Sequence, residues 1–215
     1  DVDEAALSYA EVKALATGNP YIKEKMDLDI QVSKLKLMKA NHTSQKYRLE
    51  DNITQHYPHQ IAIFKERIEG FTADIEKYAK NKPEDKEQFF MQVGGKPYTD
   101  KKEAGTAIIA MCKEIKGINA SADVGEYLGF KLNVTFDSFN NKFVMNVKGA
   151  MSHPMEVGTD PLGNITRINN ALEAMPAQLE EAQTKLSNVE HQLETATAEV
   201  DKPFQQEAEL SEKLE

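Results

Sequence analysis

Apolar residues recur at alternating spacings of three and four along the last quarter of the chain. They are Leu172, Met175, Leu179, Ala182, Leu186, Val189, Leu193, Ala196 and Val200. Four successive heptads of this kind are specific for a coiled coil, because each step returns the apolar side chain to the same helix face. Pro176 and Pro203 are expected to bend the helix locally. We therefore predict a long helix over 166–215, the second of two stalk helices.

A second heptad pattern lies in the first half of the chain. Its apolar positions are Tyr57, Ile61, Phe64, Ile68, Phe71, Ile75 and Tyr78. Steps of four and three are typical of a helix that packs along a partner helix. Two weaker apolar sets lie upstream: Met26, Ile30 and Leu37, and Leu28, Val32 and Leu35. We predict the first stalk helix over 19–82, in which Pro58 either kinks one long helix or starts another.

The N-terminal residues, 1–18, predict a short helix that ends in a joint. Ser8 is a suitable N-cap, and Gly18 follows the last turn, where a residue without Cβ readily takes a positive φ. Asn19 is then expected to cap the next helix, and Pro20 to be its first residue, where a missing N–H group costs nothing.

Between the heptad segments, over 83–165, the apolar period changes to two. The alternating positions are Phe130, Leu132, Val134 and Phe136, then Phe143, Met145 and Val147, and finally Met155 and Val157. A DSFNN turn separates the first two sets, so they predict a hairpin of half-buried strands. The earlier stretch FFMQVGGKPYTD predicts a strand, a Gly-Gly turn and another strand.

The same region also contains one predicted helix, KKEAGTAIIAMCKEIKG. Asp100 is placed to cap it, and Gly117 to end it. Packing this helix on the apolar face of the sheet gives a small head of antiparallel sheet, of about four strands, plus one helix. The predicted fold class is α+β, with a long antiparallel coiled-coil stalk that carries this head.

The distribution of charge favours an antiparallel stalk. If both stalk helices meet the head at one end, the numbers of paired residues total roughly 249. The basic residues of 30–49 are Lys34, Lys36, Lys39, Lys46 and Arg48. The acidic residues of 200–215 are Asp201, Glu207, Glu209, Glu212 and Glu215. Opposite charges beside the seam favour this pairing. The rival arrangement folds at Pro58 into a three-helix bundle.

Composition narrows the class of protein. The chain has 215 residues, a net charge of −9 and one cysteine, so it forms no internal disulfide. The net charge argues against nucleic-acid binding over the whole surface, and the acidity lies at the C-terminal end, where segment 166–215 has 4 basic against 11 acidic residues. No apolar run approaches the ~18 residues of a membrane span. Because the chain begins at Asp1 rather than methionine, we expect it to be a piece of a longer protein.

Basic residues around a tyrosine form the candidate nucleic-acid contact. They are Lys96, Tyr98, Lys101, Lys102 and Arg167, expected to cluster where the head meets the stalk. The basic run 34–48 is a second candidate for phosphate contacts. We favour the interpretation that this run neutralises the acidic C-terminal helix, because the acidic partner lies in the same chain.

Other chemically suggestive residues have simpler interpretations. Cys112 lies in phase with apolar residues, so a buried packing thiol is favoured over a nucleophile. His56, His59 and His191 lack the further ligands of a metal site. Gly94-Gly95-Lys96 lacks the spacing of a phosphate-binding loop and fits a hairpin turn. We assign no catalytic residue and no metal ligand.

Two stretches resemble one known family. They are DVDEAALSYAEVKALATGNPYIKEKMDLDIQVSKLKLMKA and the later pattern GKPYTDKKEAG…GEYLGFKL…GNITRINNALE. They are similar to the C-terminal region of large bacterial mobile-element and phage proteins, which join an adenine-specific DNA methyltransferase to a superfamily-two, chromatin-remodeller-like helicase. The resemblance covers essentially the whole chain. It implies that the ATPase and methylase motifs lie upstream.

This resemblance implies ATP and S-adenosylmethionine as cofactors of the parent protein only. No Walker lysine loop or DEAH-type box occurs here, and Asn19, Pro20 and Tyr21 lack one proline of the methylase motif. We expect a non-enzymatic accessory region that positions DNA or couples the motor to other domains. The alternative is a coiled-coil protein–protein or homo-oligomerisation module. DNA and the upstream helicase and methylase domains are the expected partners, in a bacterial cytoplasm and away from membranes.

Overall fold

The protein was analysed as a computed structural model that describes residues 9, 11–14 and 16–215. The chain divides into two compact units. The first holds Asp1–His59 and Glu190–Glu215, and the second holds Gln60–Val189. The fold is mixed α and β, with 63% of residues in helices and one antiparallel sheet, as the sequence predicts at this level.

The helices are bounded as follows: α1 (Pro20–Asp51), a π-helical segment (Asn52–His56), α2 (Tyr57–Asn81), α3 (Lys101–Glu114), α4 (Pro161–Glu173), α5 (Met175–Val200) and α6 (Glu207–Leu214). The strands are β1 (Met91–Val93), β2 (Lys96–Tyr98), β3 (Ser121–Tyr127), β4 (Phe130–Asp137), β5 (Lys142–Lys148) and β6 (Ser152–Val157).

Helical structure continues through Pro58, so α1, the π-helical segment and α2 form 62 consecutive helical residues. Proline has no N–H to donate and its ring clashes with the preceding turn. The helix is wider just before Pro58. There, Tyr57 N donates a hydrogen bond to Asn52 O, five residues back, as in a π-helix. The π-helical segment therefore lets the helix pass the proline without ending.

The joint before α1 has the predicted caps. Asn19 Oδ1 accepts a hydrogen bond from Tyr21 N (3.0 Å), and Pro20 is the first helical residue. Gly18 has φ +68°, as expected after the end of a helix. The predicted N-cap of the preceding helix, Ser8, lies outside the described residues.

Within the first unit, α1 and α6 contact each other in opposite directions. Lys39 Nζ donates to Glu207 Oε1 (2.7 Å), and Lys213 Nζ donates to Gln31 Oε1 (2.7 Å). The predicted register pairs position 39 with position 210. The observed partner of Lys39, Glu207, is three residues from that position. The predicted pairing between the basic run and the C-terminal acids is confirmed at this ion pair.

Helical structure over 166–215 is divided into three helices, α4, α5 and α6. The breaks lie at Ala174 and over 201–206. Both are next to a proline. Pro176 lies in the first turn of α5, where a proline is tolerated, and Pro203 follows the end of that helix.

The sheet belongs to the second unit and has six strands, in the order β2-β1-β3-β4-β5-β6. All neighbours are antiparallel. The predicted count of about four strands is therefore wrong. The strand absent from the predicted set is β3, whose register shifts between Asp123 and Gly125. This bulge puts its buried residues Val124 and Tyr127 three positions apart, which hides the period of two.

The prediction of one head helix also needs correction, because α4 packs with α3 and with β6. Ile165, Ile168 and Leu172 of α4 are buried in the same apolar cluster as the sheet. Other members of this cluster are Met91, Val93, Ile108, Phe130, Leu132, Val134, Met145 and Val147. The start of α4 is hard to see in the sequence, since Asp160 and Pro161 also fit a turn.

A buried carboxylate attaches α2 to the β5–β6 turn. Asp74 is 0% exposed and accepts hydrogen bonds from Ala150 N (2.7 Å), Met151 N (2.9 Å) and His153 Nε2 (2.7 Å). A Cβ on Gly149 would lie 2.2 Å from Asp74 Oδ1, so only glycine fits there. Phe71 and Phe130 pack against the imidazole, with ring centroids at 5.9 and 6.1 Å.

Replacing Asp74 should strongly destabilise the second unit. Asp74→Ala leaves two backbone N–H groups and an imidazole buried without a partner, at a cost of about 3–5 kcal/mol. Urea denaturation followed by circular dichroism measures this loss. Glu76→Ala, at an exposed position of the same helix, is the control and should change stability by less than ~0.5 kcal/mol. Equal stability of the two variants would contradict this role of Asp74.

Candidate nucleic-acid interface

The structure keeps only part of the predicted nucleic-acid contact together, because Tyr98 and Lys102 line one pocket and Lys101 lines another. Lys96 and Tyr98 lie on β2, the edge strand of the sheet. Lys101 and Lys102 open α3, whose N-cap Asp100 accepts a hydrogen bond from Glu103 N (2.9 Å). Arg167 lies on α4.

Arg167 belongs to the connection between β6 and α4. Its Nη1 donates to Asn164 Oδ1 (3.1 Å), and the guanidinium lies against Gly158, where a Cβ would be 2.4 Å from Nη1. The buried Asn164 also accepts from Gly158 N (2.7 Å) and donates to Gly158 O (3.0 Å). Arg167 is therefore part of a hydrogen-bond network, with Asn164 and Gly158, that stabilises this connection.

Lys101 and Lys102 are neighbours in sequence but line different surface pockets. Lys102 and Tyr98 line a pocket of about 400 Å³ on the exposed side of α3. Lys101 lines another, of about 250 Å³, together with Lys82 and Lys86 from the segment between α2 and β1. We call this second site the lysine pocket. Tyr78, Phe89 and Tyr127 supply its aromatic walls.

The lysine pocket is positively charged. Three lysines face it, and Glu173 is the one carboxylate among its described lining residues. Lys82 Nζ lies 5.2 Å from the centroid of the Tyr78 ring, a cation–π contact that holds the ammonium group at the rim. Convergent ammonium groups on a partly aromatic surface attract anions, phosphates above all.

Tyr127 forms the floor of the lysine pocket. Its hydroxyl donates to Asn169 Oδ1 (2.8 Å), which joins β3 to α4. Burial raises the pKa of Tyr127 to about 12, and the nearby Tyr78 and Glu173 add to the effect. The phenol therefore stays a neutral donor, and it adds no negative charge that would oppose an anion.

Lys82 and Lys86 are the residues that the sequence did not single out. They belong to the segment NKPEDKEQFF, in which lysines and acids are interspersed at the edge of the predicted head. This composition is typical of a solvent-exposed linker. Its position beside Lys101 depends on how the end of α2 lies relative to the start of α3, and no local sequence pattern reports that.

Neither Cys112 nor any histidine is among the described lining residues of the lysine pocket. Cys112 is 3% exposed on the buried face of α3, as predicted, and burial raises its pKa to about 11. The thiol is therefore a packing group at neutral pH. The described part of the chain has no group of three or more His, Cys, Asp or Glu side chains placed to hold a metal ion.

Comparisons with known proteins give no relative for this chain. No protein-family model, no curated protein and no solved structure matches it. Among the helices of the described residues, none is both long and apolar enough to cross a membrane.

Tyr127 should contribute a stability term that disappears in alkali. Its pKa is raised to about 12 in the folded protein, whereas an unfolded tyrosine titrates near 10. The unfolded chain thus loses its proton first, and the contribution is complete below pH ~10 and lost as pH rises toward ~12. Tyr127→Phe should remove this part of the alkaline decline and cost about 1 kcal/mol at neutral pH.

Urea denaturation across this pH range, with Tyr47→Phe as a control, measures the difference. The Tyr47 ring is 63% exposed, so this variant should follow the wild type. An alkaline decline that is identical in Tyr127→Phe and wild type would show that Tyr127 does not contribute it.

Proposed function

We propose that this chain is a non-catalytic accessory region that holds DNA at the lysine pocket for a larger DNA-processing protein. The observation that supports this function is the convergence of Lys82, Lys86 and Lys101 on one pocket with aromatic walls. Phosphate groups provide most of the affinity in protein–DNA contacts, and lysine is a common partner for them.

A local positive site is compatible with an acidic chain. Surface charges act mainly within a Debye length, about 8 Å at physiological ionic strength. Among the described lining residues of the lysine pocket there are three lysines and one carboxylate, Glu173, while Glu84, Asp85 and Glu87 flank Lys86 along the chain. The positive excess is therefore confined to the pocket itself, where DNA would be attracted, while acidic surfaces elsewhere would repel it.

The parent protein would supply the chemistry. The resemblance described above favours a helicase–methylase of a bacterial mobile element or phage, acting in the cytoplasm. Its upstream domains would bind ATP and S-adenosylmethionine, and this chain would position the DNA for them or couple the motor to other parts. The side chains of the lysine pocket fit such a role, because lysines and aromatics bind nucleic acid without needing a nucleophile or a general base.

Substituting the three pocket lysines should weaken binding to single-stranded DNA and reduce its salt dependence. In the triple variant Lys82→Ala, Lys86→Ala, Lys101→Ala, the slope of log affinity against log salt should fall by about 2, since each lost phosphate contact removes about 0.7. Fluorescence anisotropy with a labelled oligonucleotide at several salt concentrations gives this slope.

Two further triple variants serve as matched controls. Lys113→Ala, Lys116→Ala, Lys148→Ala removes the same charge at exposed positions outside the lysine pocket and should change the slope far less. The set Lys96→Ala, Lys102→Ala, Arg167→Ala tests the other residues of the predicted contact. Equal losses in all three variants would indicate a general charge effect and contradict a site at the lysine pocket.

A second candidate function is self-association through α1. Leu37 and Tyr47 are each 63% exposed, although Leu35 of the same helix is buried. Large apolar residues exposed along one helix are a feature of protein interaction surfaces.

Self-association predicts that the mass measured by light scattering rises with concentration. Leu37→Glu should then return the chain to a monomer without changing its circular dichroism, because Leu37 contributes little burial within the chain. Leu49→Glu is a contrasting variant at a partly buried position of the same helix. A mass of one chain at every concentration would exclude this second function.

A further inference from the structure

A second pocket lies beside the lysine pocket, on the same segment between α2 and β1. It has a volume of about 690 Å³, within the roughly 300–1,000 Å³ range of small-molecule sites. The two pockets share Pro83, Gln88, Phe89 and Leu128 in their linings. The two pockets are therefore neighbours along this segment. We call this second site the Phe90 pocket.

Phe90 gives this pocket an accessible aromatic surface. Its side chain is 55% exposed, while the adjacent Phe89 is buried in the core at 9% exposure. Pro83 and Leu128 add apolar surface to the lining. Aromatic rings at the surface of a nucleic-acid-binding protein are the usual platform for an unstacked base, because every base has a flat π face.

The polar part of the Phe90 pocket comes from the outer face of the sheet. Gln92 of β1 and Glu126 of β3 are cross-strand partners, so their side chains stand next to each other. Both residues are exposed. The described lining includes the carboxylates of Glu87 and Glu126 and contains no lysine or arginine. Its carboxylates are acceptors for hydrogen bonds from amino groups, and Lys131, which pairs with Glu126 across β3 and β4, lies outside the lining.

We propose that the Phe90 pocket binds an unstacked nucleobase that carries an exocyclic amino group, from a single strand whose phosphates lie in the lysine pocket. This inference rests on the proposed function and specifies its ligand. The two neighbouring sites have opposite charges, and a strand of nucleic acid has the matching arrangement: an anionic backbone beside a base edge that donates hydrogen bonds.

Glu126 supplies the discrimination between bases. A carboxylate accepts from the amino group of cytosine, and adenine and guanine carry amino groups as well. Thymine has none, and its single N–H lies between two carbonyl oxygens that repel a carboxylate. The pocket is therefore selective for base chemistry, whereas the lysines hold the backbone whatever its sequence.

The test compares three single-stranded ligands of equal length: oligodeoxycytidylate, oligodeoxythymidylate and an abasic sugar–phosphate chain. Fluorescence anisotropy is measured with the full chain at one salt concentration. The variants are Phe90→Ala, Glu126→Gln and the lysine triple variant. Phe139→Ala is the matched control, because Phe139 is 95% exposed on the β4–β5 turn, outside both pockets.

Wild type should bind oligodeoxycytidylate on the order of tenfold more tightly than oligodeoxythymidylate. Phe90→Ala should weaken oligodeoxycytidylate at least about fivefold and leave the abasic chain unchanged, since one stacked base is lost. Glu126→Gln should reduce the preference for cytosine over thymine. Phe139→Ala should match the wild type, and the lysine triple variant should weaken all three ligands.

The outcomes separate the two proposals. Equal affinity of wild type for all three ligands, with loss in the lysine triple variant, would overturn the base-binding inference and leave the proposed function standing. Absence of binding to every ligand would overturn both. Binding of a lysine-rich peptide that depends on Glu126, without any oligonucleotide binding, would assign the Phe90 pocket to a protein partner and would likewise overturn the inference.

Discussion

The Asp74 carboxylate sets the geometry on which the candidate site depends. It is fully buried and accepts hydrogen bonds from two backbone N–H groups of the β5–β6 turn and from His153. These three directed hydrogen bonds add to the apolar packing of Phe71, Ile75 and Tyr78 in setting the position of α2. The rotation of α2 about its axis is thereby set relative to the sheet.

The orientation of α2 on the sheet also determines where the residues near its C-terminal end lie. Tyr78 lies about one helical turn beyond Asp74, and Lys82 follows directly after the helix ends at Asn81. Lys77 Nζ lies 5.3 Å from the centroid of the Phe130 ring, a second contact between α2 and the sheet. Tyr78 is therefore the residue of the lysine pocket that α2 itself holds in place, while Lys82 and Lys86 lie on the segment that follows the helix.

Two pockets of opposite charge share one wall in this unit. The lysine pocket has an excess of ammonium groups, and the Phe90 pocket has two carboxylates with an exposed aromatic ring. Each alone would fit many ligands. Side by side they fit a narrower class, molecules with an anionic part next to a flat part that donates hydrogen bonds. The proposed site for a single strand rests on this local juxtaposition, which is compatible with a net charge of −9 for the chain.

The sequence by itself determined the features that depend on local spacing. Heptad spacing predicts the helices, and all the apolar positions from Leu172 to Val200 are buried or partly buried. Capping residues locate the starts of α1 and α3, and the period of two locates the β4–β5 hairpin. These predictions succeed because helix and strand place residues on a face by short, regular steps.

Only the tertiary structure decided the strand count, the role of Asp74 and the composition of the site. A bulge hides β3 from the period of two. Asp74 and His153 are 79 positions apart, although His153 is in phase with the inward-facing Met155 and that phase is a signal that it is buried. Lys101 joins Lys82 and Lys86 while Lys102 and Arg167 face elsewhere. Such convergence depends on how distant elements pack, and a pattern of neighbouring residues carries no information about it.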